Sequence, residues 1–165
     1  MNNKKLKKLA ALASFFQVFY GAASADQNSN EIFIEAPIEK AYSYVAQPDR
    51  WHEWHPASIS ARSETLKPLM KGDKFSEKIR IYGQETEMNY EVVIASPPNE
   101  LKTVFTSPLI DGTINYRLKK TGNGTLFQRT LEYSLEKYII TMKGGMNKMS
   151  ETALKNLKKN LEGDL

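Results

Sequence analysis

The stretch Ile32–Pro56, IFIEAPIEKAYSYVAQPDRWHEWHP, constrains the fold more than any other part of this chain. Ile32 and Ile34 alternate with Glu31, Phe33 and Glu35, the period-two pattern of a half-buried strand. Pro37 then stands where a first helical position tolerates it, and Ala41, Tyr42 and Val45 follow at helical spacing. Pro48 ends that helix by restricting Gln47 before it. Asp49 is placed to cap a second short helix, Arg50–His55, which Pro56 closes. The chain therefore commits early to one strand followed by two short helices.

Beyond Pro56 the pattern becomes strand after strand. Apolar alternation predicts strands over Ser58–Thr65, Lys74–Tyr82, Glu85–Ala95, Leu101–Ser107, Thr113–Lys120 and Thr125–Lys137. Gly83, Ser96-Pro97-Pro98-Asn99, Asp111-Gly112 and Thr121-Gly122-Asn123-Gly124 separate them as turn signals. The last element is helical: Met142, Met146, Met149, Ala153, Leu157 and Leu161 recur at three- and four-residue steps. Thr141 is placed to cap it and Gly163 to stop it. Gly144-Gly145 lowers helix stability in its first turns by about 1 kcal/mol per glycine, so that end frays or must approach something closely. Asp26–Asn30 reads as a loose polar leader. The expected architecture is α+β: a curved antiparallel sheet of about seven strands wrapped around a long C-terminal helix, with two short helices after the first strand.

The first 25 residues read differently from the rest. Lys4, Lys5, Lys7 and Lys8 form a basic start, Leu9–Tyr20 an apolar core, and Ala23-Ser24-Ala25 a small-x-small cleavage site. That order is the signature of a secretory signal peptide, and the apolar core is short for a membrane span. The expected organisation is a signal peptide over 1–25 and one domain over 26–165, exported to a periplasmic or secreted location. The chain carries 23 Lys+Arg and 19 Asp+Glu. Four of the lysines precede Asp26 and no acidic residue does, so the remainder is electrically balanced. Nucleic acid is thus not an expected partner. Cysteine is absent, which removes thiol nucleophiles, redox pairs and thiolate metal sites. No phosphate-cradling loop or nucleotide fingerprint occurs, and no cofactor or metal is expected.

A sheet wrapped around one helix leaves a concave apolar space between them, the usual setting of a ligand site. Ile34-Glu35-Ala36-Pro37-Ile38-Glu39-Lys40, Trp51-His52-Glu53-Trp54-His55-Pro56 and Gly72-Asp73-Lys74-Phe75 closely resemble the START-like (SRPBCC) superfamily, in its polyketide cyclase/dehydrase and lipid-transport branch. The resemblance runs from about Ile32 to Leu161. It implies a helix-grip fold with a cavity between sheet and long helix. It spans cyclases as well as hormone and lipid binders, so it implies a fold rather than one activity.

Several residues break or enrich the apolar pattern. Met142, Met146 and Met149 either fill a core or form the adaptable wall of a cavity. Tyr90, Tyr116 and Tyr133 share the apolar phase of three strands, and their hydroxyls need a ligand, backbone or water partner. Glu77 and Arg129 point to the apolar side of their strands. They pair with each other, wet a cavity mouth, or hold a ligand anion on Arg129 with Glu77 orienting it. Trp51, Trp54 and His55 are expected at the cavity rim, as packing residues or as ligand or membrane contacts. His52 and His55 lack a third metal ligand in sequence, and either is a candidate general base. The expected function is an exported binding protein for a hydrophobic small molecule or lipid, with transient membrane contact as a further partner class. The alternative is a cyclase/dehydratase-like enzyme on an aromatic or polyketide-like substrate, its acid or base drawn from Glu77, Tyr116 or a histidine.

Overall fold

The computed structural model describes residues 26–63, 67–135 and 143–163. The expected signal peptide (1–25), Thr141 and Met142 lie outside these residues. Seven antiparallel strands form one sheet in the order β1-β7-β6-β5-β4-β3-β2. They are β1 (Asp26–Ile34), β2 (Ser58–Ser63), β3 (Lys74–Ile81), β4 (Gln84–Ser96), β5 (Glu100–Thr106), β6 (Ile110–Thr121) and β7 (Gly124–Leu135). Helix α1 (Ile38–Val45) and a 3-10 helix (Pro48–Glu53) lie between β1 and β2, and α2 (Lys143–Glu162) follows β7. This is the expected α+β helix-grip arrangement.

Local differences from the sequence reading have physical causes. Asp26–Asn30 is not a loose leader: it is the first half of β1 and pairs with Tyr133 through Arg129 on β7. Its polar residues suit an edge strand, whose ladder bonds need no apolar side chains. The second short helix is a 3-10 turn that starts at Pro48, not an α-helix capped by Asp49. Proline's fixed φ suits a first helical position, so Pro48 both stops α1 and starts the next turn. Asp111-Gly112 is not a turn but part of β6, paired with Ser134 and Tyr133. A Cβ on Gly112 would collide with the Glu132 backbone carbonyl of β7, so close strand approach is what needs the glycine. The chain turns instead at Ser107, whose Oγ accepts from the Leu109 and Ile110 backbone N–H groups.

The hairpin between β3 and β4 turns through Tyr82 and Gly83, both at positive φ (50° and 82°). Two such residues in succession match the right-handed strand twist of a tight hairpin. The hairpin tip reaches α2: a Cβ on Gly145 would overlap the Tyr82 hydroxyl. The glycine in the first turns of α2 therefore serves a close approach.

The concave face of the sheet and the apolar stripe of α2 make the core. Phe75, Ile79, Tyr90, Phe105, Tyr116 and Phe127 are buried from the sheet side. Met146, Ala153, Leu154, Leu157 and Leu161 are buried from the helix side. Each large apolar side chain so buried stabilises the fold by about 1.5–3 kcal/mol.

Candidate functional site

Between the sheet and the first half of α2 lies a partly enclosed, mostly apolar chamber of about 40 Å³. β3 and β4 contribute Glu77, Ile79, Ile81, Met88 and Tyr90. β6 and β7 contribute Ile114, Tyr116, Arg129 and Leu131. Met146, Met149 and Ser150 close it from α2. A space of this size holds only a few water molecules, whereas pockets for drug-sized ligands run to about 300–1,000 Å³. The chamber is therefore contracted, and a larger occupant requires a wall to move.

Arg129 enters this space from the middle of β7, in the inward phase of Phe127 and Leu131, and is only 3% exposed. Its Nη1 donates to Ser150 Oγ of α2 at 2.7 Å. Its Nη2 lies 3.4 Å from Nε2 of His55, just past the 3-10 helix. Arginine can only donate, which assigns Nε2 of His55 as acceptor and its proton to Nδ1. Burial, and secondarily the Arg129 charge, hold the His55 pKa down at about 3, so the ring is neutral at physiological pH although the residue keeps some exposed surface. Tyr116, directly across the β6–β7 ladder, lies beside the guanidinium. Burial pushes its phenol up to about 12, against the pull of Arg129, so it stays protonated. The Nε–H of Arg129 has no partner in hydrogen-bonding geometry.

Glu77 forms the second polar point, also 3% exposed. Tyr90 Oη donates to its Oε2 at 2.7 Å. Burial raises the Glu77 pKa; hydrogen bonds from Ser58 and Tyr90 and the Arg129 charge oppose that rise more weakly. The Tyr90 pKa is raised further still, by burial and then by the Glu77 charge, so the proton stays on the phenol. Among the described residues no direct ion pair joins Glu77 to Arg129. Of the alternatives open for the two charges, direct mutual pairing is not made: each takes neutral partners, and their attraction acts across the chamber.

The tryptophans expected at the rim are inside. Trp51 and Trp54 are 2% and 1% exposed, so neither is presented to a membrane surface. Trp51 Nε1 donates to the Val45 carbonyl at 2.9 Å, tying the 3-10 helix to α1. Its ring then meets Phe75 and Tyr90 edge-on at 5.3 and 5.4 Å. This aromatic packing draws the short helix onto the sheet and makes both indoles part of the chamber wall. Trp54 Nε1 is buried without a partner. His52 is exposed and away from this cluster. Tyr133 is buried but does not bound the chamber; it pairs with Gly112 and Asp26 toward the end of β7. Among the described residues no group of three His, Asp or Glu is placed to hold a metal.

Sequence reasoning missed Ser150. It lies one helical turn after Met146 and seven residues before Leu157, on the buried stripe, and is 2% exposed. A serine at an apolar helical phase was the available signal.

The polyketide cyclase / dehydrase and lipid transport family matches residues 27–162. The chain belongs to this family. Among curated proteins none matches the sequence. Solved structures share its fold. An uncharacterised protein from Rhizobium leguminosarum is 14% identical, with a TM-score of 0.69 over 84% of this chain and 95% of that one. A START superfamily protein from Mycobacterium smegmatis is 17% identical, with a TM-score of 0.63 over 84% and 95%. A protein from Chromobacterium violaceum is 15% identical, with a TM-score of 0.67 over 82% and 96%. Members of the family share the sheet-around-helix, ligand-binding architecture. At these identities the structural likeness establishes the fold.

Proposed function

We propose that this protein binds a hydrophobic small molecule or lipid between its sheet and α2, and that it does so after export. The observation that carries the reading is the chamber itself: an apolar space bounded by the sheet and a methionine-bearing helix, at the heart of the fold. Methionine side chains rearrange readily around varied apolar shapes, so the α2 side is the adaptable wall. Export rests on the N-terminal sequence. The test is titration with the neutral apolar fluorophore N-phenylnaphthylamine. One probe should bind per chain, and Met149→Trp, which fills the chamber from α2, should abolish binding. No saturable binding, or binding indifferent to Met149→Trp, would overturn the reading.

A second reading keeps the family's cyclase/dehydrase chemistry. Glu77, with its pKa raised in an apolar chamber and Tyr90 hydrogen-bonded to it, has the makings of a general acid or base. Glu77→Gln preserves shape and the acceptor for Tyr90. For an enzyme it would leave binding intact and stop turnover of the ligand; loss of neither would remove this reading.

A further inference from the structure

Resting on the binding reading above, we infer that the ligand carries a compact anionic head, a monocarboxylate on an apolar tail, and that Arg129 receives the head with Ser150 beside it. Around Arg129 the chamber has more hydrogen-bond donors than partners for them. Arg129 is buried and permanently charged, with five N–H donors in a planar fork. Its terminal N–H groups reach Ser150, the neutral His55 ring and the Tyr116 phenol oxygen. The Nε–H is buried with nothing to donate to. Trp54 Nε1–H, on a second residue bounding the chamber, is in the same condition. Ser150 accepts from Arg129, which leaves its own hydroxyl proton to give away. The Tyr116 phenol beside the guanidinium keeps its proton.

The acceptors in the chamber are few and not in contact with the spare Nε–H. Glu77 takes the Tyr90 proton, and His55 Nε2 faces Arg129. Among the described residues no carboxylate makes an ion pair with Arg129. A buried charge whose counter-charge, Glu77, lies across the chamber rather than in contact is costly, because desolvation is offset best by direct pairing and hydrogen bonds. A ligand carboxylate supplies both, with planar oxygens that match the guanidinium fork. A neutral ligand supplies neither charge nor paired acceptors. The apolar walls set the tail: Ile79, Ile114, Leu131 and Met146 offer it no polar partner.

The two readings fail separately in one experiment, displacement of bound N-phenylnaphthylamine by octanoate and by octanol, which differ only in the head. Octanoate should displace the probe at about tenfold lower concentration than octanol, the scale of a charge-assisted hydrogen bond in a dry site. Arg129→Met, which keeps the approximate length of the side chain, should lose the preference for octanoate, read as the ratio of the two displacing concentrations within the variant, whatever its own affinity for the probe. Should Arg129→Met not fold, Ser150→Ala serves in its place: it removes one donor from the head site and should cut the preference by about threefold. Octanoate no better than octanol, or a preference unchanged in these variants, overturns the anionic-head inference while probe binding keeps the apolar pocket standing. Failure of the neutral probe to bind overturns the pocket and the inference together.

Discussion

The two halves of α2 are held in different ways. Along the second half, Ala153–Glu162, polar side chains are tied to the body of the protein. Asn156 and Asn160 donate to the backbone carbonyls of Trp54 and Glu53 at 3.1 and 3.0 Å. Lys158 donates to the Phe33 carbonyl at 2.8 Å, and Glu162 accepts the Glu35 backbone N–H at 2.7 Å. Beneath these bonds Ala153, Leu154, Leu157 and Leu161 are fully packed. Among the described residues the first half, Lys143–Thr152, has fewer such ties: Asn30 to Asn147 at 3.1 Å, and Arg129 to Ser150. Two methionines lie over the chamber, and Gly145 lies against Tyr82. On the proposed binding reading, one helix serves as a clamp at one end and as the movable wall at the other. Ligand-binding elements are drawn from the low-stability end of a structure, because they must open without unfolding the rest.

The largest expected effect separates the halves by packing. Leu157→Ala should destabilise the protein by about 2–5 kcal/mol, since a fully buried site leaves a cavity. Met149→Ala, on a partly buried residue, should cost less than about 1.5 kcal/mol. Urea denaturation measures both, and equal losses would break the distinction. A smaller effect separates them by hydrogen bonding. Asn160→Ala removes bonds to Tyr44 and to the Glu53 carbonyl and should cost about 1–2 kcal/mol. Asn147→Ala, at the partly exposed end, should cost about 0.5 kcal/mol or less.

The smallest effects are carried by pH and belong to the chamber under the first half. The folded His55 pKa, about 3, lies below its unfolded value of about 6.5. The unfolded chain therefore binds the proton first, and this group lowers stability as pH falls from about 6.5 toward 3. Glu77 acts in the other direction. Its folded pKa is raised, so the folded state holds the proton longer, and stability falls as pH rises above about 4.5 toward the raised value. Thermal unfolding across these windows should show the acid slope reduced in His55→Gln and the alkaline slope reduced in Glu77→Gln. Unchanged slopes would show that the two groups are better solvated than the chamber allows.

The fold was legible because alternation and helical spacing repeat along whole elements, and each strand's apolar phase survives in the buried face. Glu77 and Arg129 were legible for the same reason: a charge in an apolar phase is conspicuous. What they touch was not, because Ser150 and His55 come from elements 21 and 74 residues away from Arg129. The direction of the tryptophans was also hidden. A two-tryptophan turn reads equally as rim or wall until the Trp51 bond to Val45 fixes which way it leans. Gly112 misled because a glycine demanded by strand proximity looks in sequence like one demanded by a turn.

Hydrogen exchange along α2, with and without N-phenylnaphthylamine, tests the central claim most directly. The account predicts that amides of Met146–Thr152 exchange through local opening and gain protection when the probe binds, while those of Leu154–Leu161 exchange only with global unfolding and do not change. Uniform protection along the helix, unaffected by probe, would contradict it.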